Sequence, residues 1–563
     1  PARPGLVRFL AAAIVAAGLS AIAVLPLAET VTVSMKLAHN RAGGPGWLDG
    51  HPGLPVAKAV HLAAAGVLGS WKDGTYQGLG SYVLVSEGAV GLALVALAFA
   101  ALPLLRWRRP RESYLPLVAA GGLALHLLLP GVGRLWAALP GIGHVSPRYA
   151  AYVAGFALAL LGALGLERLV AAASSPGRRR AALGLGLGAG AALAAVPLAA
   201  GAAAGLEGVP RWAARLAVVS WPAAAWVCAA AALPLLAVLA RRLPALVAVA
   251  APVLVAGQLA TAYLDYVPTV HADLAYTPAP LTQALEAAEG RVIGTGGVLL
   301  PNLPAAHGLD DVRAHDQTTW SRYDRWLAEV LGAKRTRQIA RYPRVAPGHR
   351  AALSAMAVRH ALTSGPERLP PPWRTLESYG AVRVWELPEA QGWAFFAREA
   401  VGVGSAEEAF ARSRGDRPGD ALVPVEDERL PPGARAGGRA SVVQVAREDD
   451  RVRVWVTVLE DSWLVVSQTA IPGWRASIDG RRVPLGRAYG VLAAVPVPAG
   501  ARLVELRYRP WGWLVGAPLS GATALLLAGA FGYRLVRRRR GGTAKAAGAQ
   551  PPDGQGRSKV GER

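Results

Sequence analysis

Two hydrophobic rhythms divide the chain. Long, uninterrupted apolar runs fill the first half and the end, near residues 8–28, 87–105, 113–130, 149–171, 181–205, 214–240, 245–265 and 512–533. Each is close to the ~20 residues a helix needs to cross a hydrocarbon core of ~30 Å, so eight membrane spans are expected. Between the last two runs, over 266–510, the period changes to two. Val452, Val454, Val456 and Val458 alternate with Arg453, Trp455 and Thr457, and Val504, Leu506 and Tyr508 alternate with Glu505, Arg507 and Arg509. Such alternation marks strands with one buried and one wet face. Asp479-Gly480 lies between two short strand patterns, as a tight hairpin turn with both residues at positive φ requires.

Turn and cap residues order the rest of this interval. Residues 281–288 read as a short helix ended by Gly290, 291–294 as a strand, and 321–331 as a helix. Ser405 and Glu408 form a capping box for a helix over 406–413. From 441 onward the pattern is all β, with further short strands at 462–468, 474–478, 482–485, 490–497 and 502–509. That spacing predicts a β-sandwich. The expected organisation is a transmembrane domain over 1–265, a mixed α/β region over 266–440, a β-sandwich over 441–510, a final transmembrane helix over 511–536 and a basic, disordered tail over 537–563.

Composition agrees with the membrane assignment. At 563 residues, 53% hydrophobic and only 17% charged, the chain holds several domains and is too apolar for an ordinary soluble enzyme. The net charge of +23 raises the question of nucleic acid, and its placement answers it. Arg3 with Arg8, Arg106 with Arg108, Arg109 and Arg111, Arg178 to Arg180, Arg241 with Arg242, and Arg534 with Arg537 to Arg540 stand at alternate ends of successive apolar runs. No aromatic residues interleave with them to stack bases. By the positive-inside rule these ends face the cytoplasm, which leaves 29–86, 131–148, 206–213 and 266–510 outside. Tyr263, Tyr266, Tyr276, Trp511 and Trp513 flank the last of these segments, where interfacial aromatics belong. The single cysteine, Cys228, excludes an intrachain disulfide. The sequence begins at Pro1 and enters an apolar run without a signal-peptide pattern, so the expectation is a chain lacking its natural N-terminal part.

Candidate chemistry is sparse. Glu29 is a carboxylate at the outer boundary of the first span, placed either to line a site or simply to meet water. Arg134, His144 and Arg148 gather before the fourth span, where guanidinium forks match a lipid phosphate; the alternative is snorkelling to head groups. Trp455, Trp463 and Trp474 are candidates for a glycan-stacking platform, against the alternative that some of them fill a small core. Asp310, Asp311, His315 and Asp316 lack the ligand spacing of an oxygen-rich metal loop and read as a hydrogen-bonded turn. No metal site and no catalytic residue is assigned.

The order of several motifs carries more than any one of them. Pro472-Gly473-Trp474, Asp479-Gly480, Pro498-Ala499-Gly500 and Tyr508-Arg509-Pro510 precede the last span. Upstream stand Leu139-Pro140-Gly141, a long helix ending Gly165-Leu166-Glu167, Arg291-Val292-Ile293-Gly294, Pro301-Asn302 and Gly308-Leu309-Asp310-Asp311. This series resembles the bacterial YfhO membrane-protein family, with His144 where that family more usually has arginine. The resemblance implies a GT-C-like architecture, in which a multi-span α-helical membrane domain carries an extracytoplasmic α/β region and a C-terminal β-sandwich. It also implies a glycosyltransferase of the bacterial cytoplasmic membrane that takes sugar from a polyprenyl-phosphate donor and passes it to a cell-envelope glycan. The partners implied are membrane lipids, the lipid-linked sugar and the glycan acceptor, with no nucleic acid. The family's acidic catalytic motif has no match here; no cofactor is identified, and a divalent metal belongs, if anywhere, to the full-length enzyme. The alternative is a membrane-anchored scaffold or glycan-binding protein. A transporter is the weakest class, since His126 is the clear ionisable group inside a span.

Overall fold

Among the described residues, the long apolar runs are helical and the alternating segments are strands. The computed structural model describes residues 3–34, 94, 97–98, 101–102, 105, 110–127, 129, 131–139, 147–173, 244–263, 271, 279–286, 289–295, 298–313, 318–333, 348–414 and 422–547. Among these the helices, in chain order, are α1 (Arg3–Thr32), α2 (Pro110–His126), α3 (Val132–Ala137), α4 (Ala150–Ala173), α5 (Pro244–Tyr263), α6 (Pro280–Glu286), α7 (Ser321–Glu329), α8 (Arg350–Ala355), α9 (Ala406–Ser413) and α10 (Trp511–Ala547). Two compact units divide the chain, one of Pro1–Ala38 with Tyr276–Arg563 and the other of His39–Ala275. The first and last expected spans thus belong with the sheets.

Among the described residues, three helices are long and apolar enough to cross a membrane, over Leu10–Thr32, Ala150–Arg168 and Trp511–Arg537. They fall on three of the eight expected spans. At 17 residues, α2 is only about 25 Å long, short of the hydrocarbon core. The 20-residue α5, with Pro252 inside it, forms where a span was expected without being one of the three. The expected spans 181–205 and 214–240, and most of 87–105, lie outside the described residues.

In the second unit α2 packs against α4 through Leu115, Ala119, Ala157, Leu158 and Leu161. Close approach follows from small side chains: a Cβ on Gly122 would lie 3.0 Å from the Ala154 methyl. Arg168 donates to Glu112 at 2.7 Å, tying the end of α4 to the start of α2.

The first unit is built on three sheets. The strands of the first are β1 (Arg291–Gly294), β2 (Val358–Ser364), β3 (Arg374–Tyr379) and β4 (Val382–Glu386), in the order β1-β2-β4-β3, with β1 and β2 parallel. A parallel pair needs a long crossover, and α7 and α8 lie within it. The remaining strands are β5 (Ala394–Phe396), β6 (Glu399–Gly402), β7 (Leu422–Glu426), β8 (Arg435–Ala436), β9 (Ala440–Glu448), β10 (Arg451–Val458), β11 (Ser462–Thr469), β12 (Trp474–Ile478), β13 (Arg481–Val483), β14 (Gly486–Ala488), β15 (Leu492–Val497) and β16 (Leu503–Tyr508). They make a five-stranded sheet, β13-β12-β16-β10-β9, and a seven-stranded sheet, β5-β11-β15-β14-β7-β6-β8.

These two sheets meet across one apolar cluster. Val452, Val454, Val456, Val504 and Leu506 come from the five-stranded side and Leu464, Val466, Val495 and Val497 from the seven-stranded side. The other face of the seven-stranded sheet is covered by α7, α8 and α9, with Trp326, Leu353, Phe410, Trp463 and Val465 in a second cluster. Being covered on both faces, β11 is buried over six successive residues and shows no alternation, whereas β10 in the five-stranded sheet alternates as its sequence does. The expected boundary at 440 therefore divides a single sheet, since β5 to β8 upstream pair with β11, β14 and each other. Those strands are two to five residues long, too short for a period to show.

Two local expectations hold, the Ser405 cap and the Asp479-Gly480 turn. Ser405 Oγ accepts from the Glu408 N–H at 3.2 Å at the start of α9. Asp479 and Gly480 take φ of 46° and 81° between β12 and β13, the double positive φ of a tight hairpin.

Candidate functional site

The end of α1 and the start of α10 fix the sheets to the helices. The two helices run antiparallel: Gly512 lies against Leu25 and Pro26, Gly516 against Ala21, and Thr523 against Gly18. Gly512, Gly516 and Ser520 recur every four residues, so one face of α10 is free of bulk. Two apolar helices gain little hydrophobic energy from meeting in lipid, and close backbone approach with polar contacts supplies the affinity instead. Ser520 provides the polar contact. Its hydroxyl accepts from the Ile22 N–H and donates to the Gly18 carbonyl, both at 2.9 Å, entering the helical ladder of α1 one turn before Pro26.

Glu29, a candidate site carboxylate by sequence, closes this pair. It is buried, with Oε1 accepting from the Trp511 N–H at 3.3 Å and Oε2 from the Gly512 N–H at 2.7 Å. These are two of the donors that the first turn of α10 leaves without an intrahelical partner, and a negative charge suits that helix end. Its carboxylate is engaged as a cap between two helices.

The other sequence candidates do not converge. Trp463 is buried in the cluster beneath α7 to α9. Trp474 packs on the inner face of the five-stranded sheet, 5.5 Å from the Tyr508 ring. Trp455 pairs with Leu503 and Trp474 with Tyr508, an odd offset along β16 that puts the two indoles on opposite faces. The three tryptophans thus form no common platform. In the second unit, Arg134 is exposed on α3, Arg148 lies in a 3-10 turn over Pro147–Tyr149, and His144 lies outside the described residues. Asp311 pairs with Arg313 at 2.7 Å and Asp310 with Arg447 at 2.9 Å, as a hydrogen-bonded turn predicts; His315 and Asp316 lie outside the described residues. Arg313 also donates to the Gly294 and Leu299 carbonyls, both at 2.6 Å, so that this pair binds β1 to the following loop.

The tertiary structure assembles a cluster that no sequence motif announces. Ser34, two residues beyond α1, bridges to Trp320, and the Ser321 N–H donates to the Val33 carbonyl at 2.9 Å. Trp320 leads directly into α7. Two guanidinium groups approach its ring, that of Arg322 at 5.9 Å and that of Arg487 at 6.0 Å. Both face one carboxylate, Glu426, which lies opposite Arg487 in the pairing of β7 with β14. Arg322 is hydrogen-bonded to Glu426 through both terminal nitrogens, whereas Arg487 approaches it only to 3.5 Å. The side chains are 19%, 33% and 25% exposed for Arg322, Arg487 and Glu426, so water still reaches the group. Burial, and then the charge of Arg322, lower the Arg487 pKa from its usual value, while Glu426 opposes them. Two cations share one anion here, at the foot of the first helix.

The family model for the bacterial membrane protein YfhO matches residues 423–520, from within β7 through the first ten residues of α10. Among solved structures the chain is similar to the cryo-EM structure of arabinofuranosyltransferase AftD from mycobacteria. The identity is 12% and the TM-score 0.21, covering 87% of this chain and 50% of that one. A mutant form of the same transferase gives 13% and 0.20, covering 87% and 53%. The chain therefore spans about half the length of the solved structures it matches. No curated protein matches it.

Proposed function

Starting from a YfhO-like membrane protein, we propose that the chain is part of a GT-C-type glycosyltransferase. In this reading the enzyme transfers sugar from a polyprenyl-phosphate donor to a cell-envelope glycan on the outer face of the bacterial cytoplasmic membrane. The supporting observation is the antiparallel pairing of α1 with α10. It brings the arginine-bearing ends, at Arg3 and Arg8 and at Arg534 and Arg537, to one side and the sheets of residues 291–508 to the other. Under the positive-inside rule the sheets then share a compartment with outward-facing lipid-linked sugars.

A second reading has its own observation. Because Glu29 serves as a helix cap, this unit also fits a non-catalytic module that presents its sheets to glycan. Proteoliposomes containing the full protein and a radiolabelled polyprenyl-phosphate sugar separate the two. Transfer to envelope glycan supports the enzyme, and retention of glycan without donor turnover supports the binding module. Sidedness is checked in intact cells with Arg439→Cys in a Cys228→Ser background. Labelling by a membrane-impermeant maleimide is expected, and protection until the cells are opened would overturn both readings.

A further inference from the structure

We propose that Arg322 and Arg487, lying against Trp320, form a binding site for a phosphate group at the outer membrane boundary, supplied by the head group of an anionic lipid. The inference rests on membrane insertion of α1 and is independent of any transferase activity.

Four observations lead to it. The charge does not balance, since two guanidinium groups face the single carboxylate of Glu426. The donors are in surplus as well. The Arg487 side chain makes no hydrogen bond among the described residues, and the Nε–H groups of both arginines are buried without a partner. The Arg487 side chain is 33% exposed, so its free donors are open to an anion with several acceptor oxygens. The shape also fits, because guanidinium forks match phosphate oxygens in pairs and an indole face accepts the cation's other side.

Position selects the source of the phosphate. Trp320 is held to Val33 and Ser34, the first two residues past the apolar stretch Leu10–Thr32. Trp511 and Trp513, at the start of the partner helix α10, are half-exposed as interfacial aromatics are. The cluster therefore lies at the depth of head groups. Two exposed arginine pairs of this unit are balanced by comparison. Arg439 with Glu460, and Arg435 with Glu399, are one-to-one and exposed. Arg291 and Arg447 flank Trp393, but Arg291 donates to Met356 and Ser467, and Arg447 is paired with Asp310.

Native mass spectrometry of the full chain in detergent, with phosphatidylglycerol or phosphatidylcholine added at equal mole fraction, tests the site. Wild-type protein is expected to retain phosphatidylglycerol in preference. Arg487→Gln, and separately Arg322→Gln, is expected to lower that retention about tenfold, as the loss of a charge-assisted contact does. Glu426→Gln removes the competing carboxylate and is expected to raise retention, a gain that misfolding does not mimic. Arg439→Gln, remote from the cluster, is expected to change nothing. Inorganic phosphate added at millimolar concentration distinguishes the sources. Displacement of the lipid points to recognition of phosphate alone, and retention points to the head group with its membrane anchor. Equal retention of the two lipids by wild type, or no change in any of the three cluster variants, would overturn the proposal.

Discussion

Glu29 Oε2 accepts from the Gly512 backbone N–H at 2.7 Å, so a residue near the start of the chain completes a helix that begins nearly five hundred residues later. Glu29→Ala should therefore cost about 1–3 kcal/mol, the range for leaving buried donors unsatisfied. Glu29→Gln, which keeps an acceptor but not the charge, should fall between. The thermal midpoint of the full protein in detergent measures both; an unchanged midpoint for Glu29→Ala would show that the cap carries no stability.

Gly516 and Gly521 make a matched pair on α10. A Cβ at Gly516 would collide with the Ala21 carbonyl and lie within 3.1 Å of Ile22 Cα, whereas one at Gly521 meets nothing within 4 Å. Gly516→Leu is expected to force α1 and α10 apart at about 1–3 kcal/mol, the usual range for overpacking. Gly521→Leu should be near neutral. Comparable losses of thermal midpoint in the two variants would show that α10 meets α1 through a different face.

Arg291 joins the first sheet to β11. It donates to the Met356 carbonyl at 2.6 Å, to Ser467 Oγ at 2.5 Å and to the Ser467 carbonyl at 2.7 Å, with Trp393 4.5 Å away across its face. Burial pulls its pKa down to about 10, which leaves it charged at neutral pH. Arg291→Met strands three acceptors and should cost a few kcal/mol. Hydrogen exchange is the discriminating measurement: the amides of β2 and β11 should both lose protection, and loss confined to β1 would contradict a role in joining the sheets.

His360 gives the folded unit a pH dependence. It is 2% exposed on β2, and burial lowers its pKa, with Glu386 opposing and Arg359 assisting. A histidine with a depressed folded pKa is protonated first in the unfolded chain. Its contribution to stability is therefore complete above the ordinary imidazole value of about 6.5 and is lost as pH falls from there through the folded value. Unfolding followed between pH 7.5 and 5 should show this decline, and His360→Leu should flatten it. An equal slope in the variant would place the acid sensitivity elsewhere.

Much of this was legible locally. The alternation in β10 and β16, the Asp479-Gly480 turn, the Ser405 cap and the apolar stretches that become α1, α4 and α10 depend on neighbours a few residues apart, so periodicity and turn chemistry report them. β14 escaped because it is three residues long, and the upstream extent of the seven-stranded sheet escaped with it. Trp463 was ambiguous for a related reason. A strand covered on both faces has no polar side to mark, so its inward tryptophan reads like any exposed one.

By itself the sequence determined that the runs of α1, α4 and α10 are helical, that β10 and β16 are strands with one buried face, and that arginines gather at the ends of the apolar runs. All of that follows from hydropathy, residue period and charge along the chain. Only the tertiary structure decided that Glu29 is a cap, that three candidate tryptophans point to different surroundings, and that Trp320, Arg322, Glu426 and Arg487 come together. The last two of these lie more than a hundred residues from the first two, on β7 and β14 rather than at the start of α7. Contacts at such separations are chosen by sheet order and by the docking of helix on sheet, and no spacing along the chain encodes them.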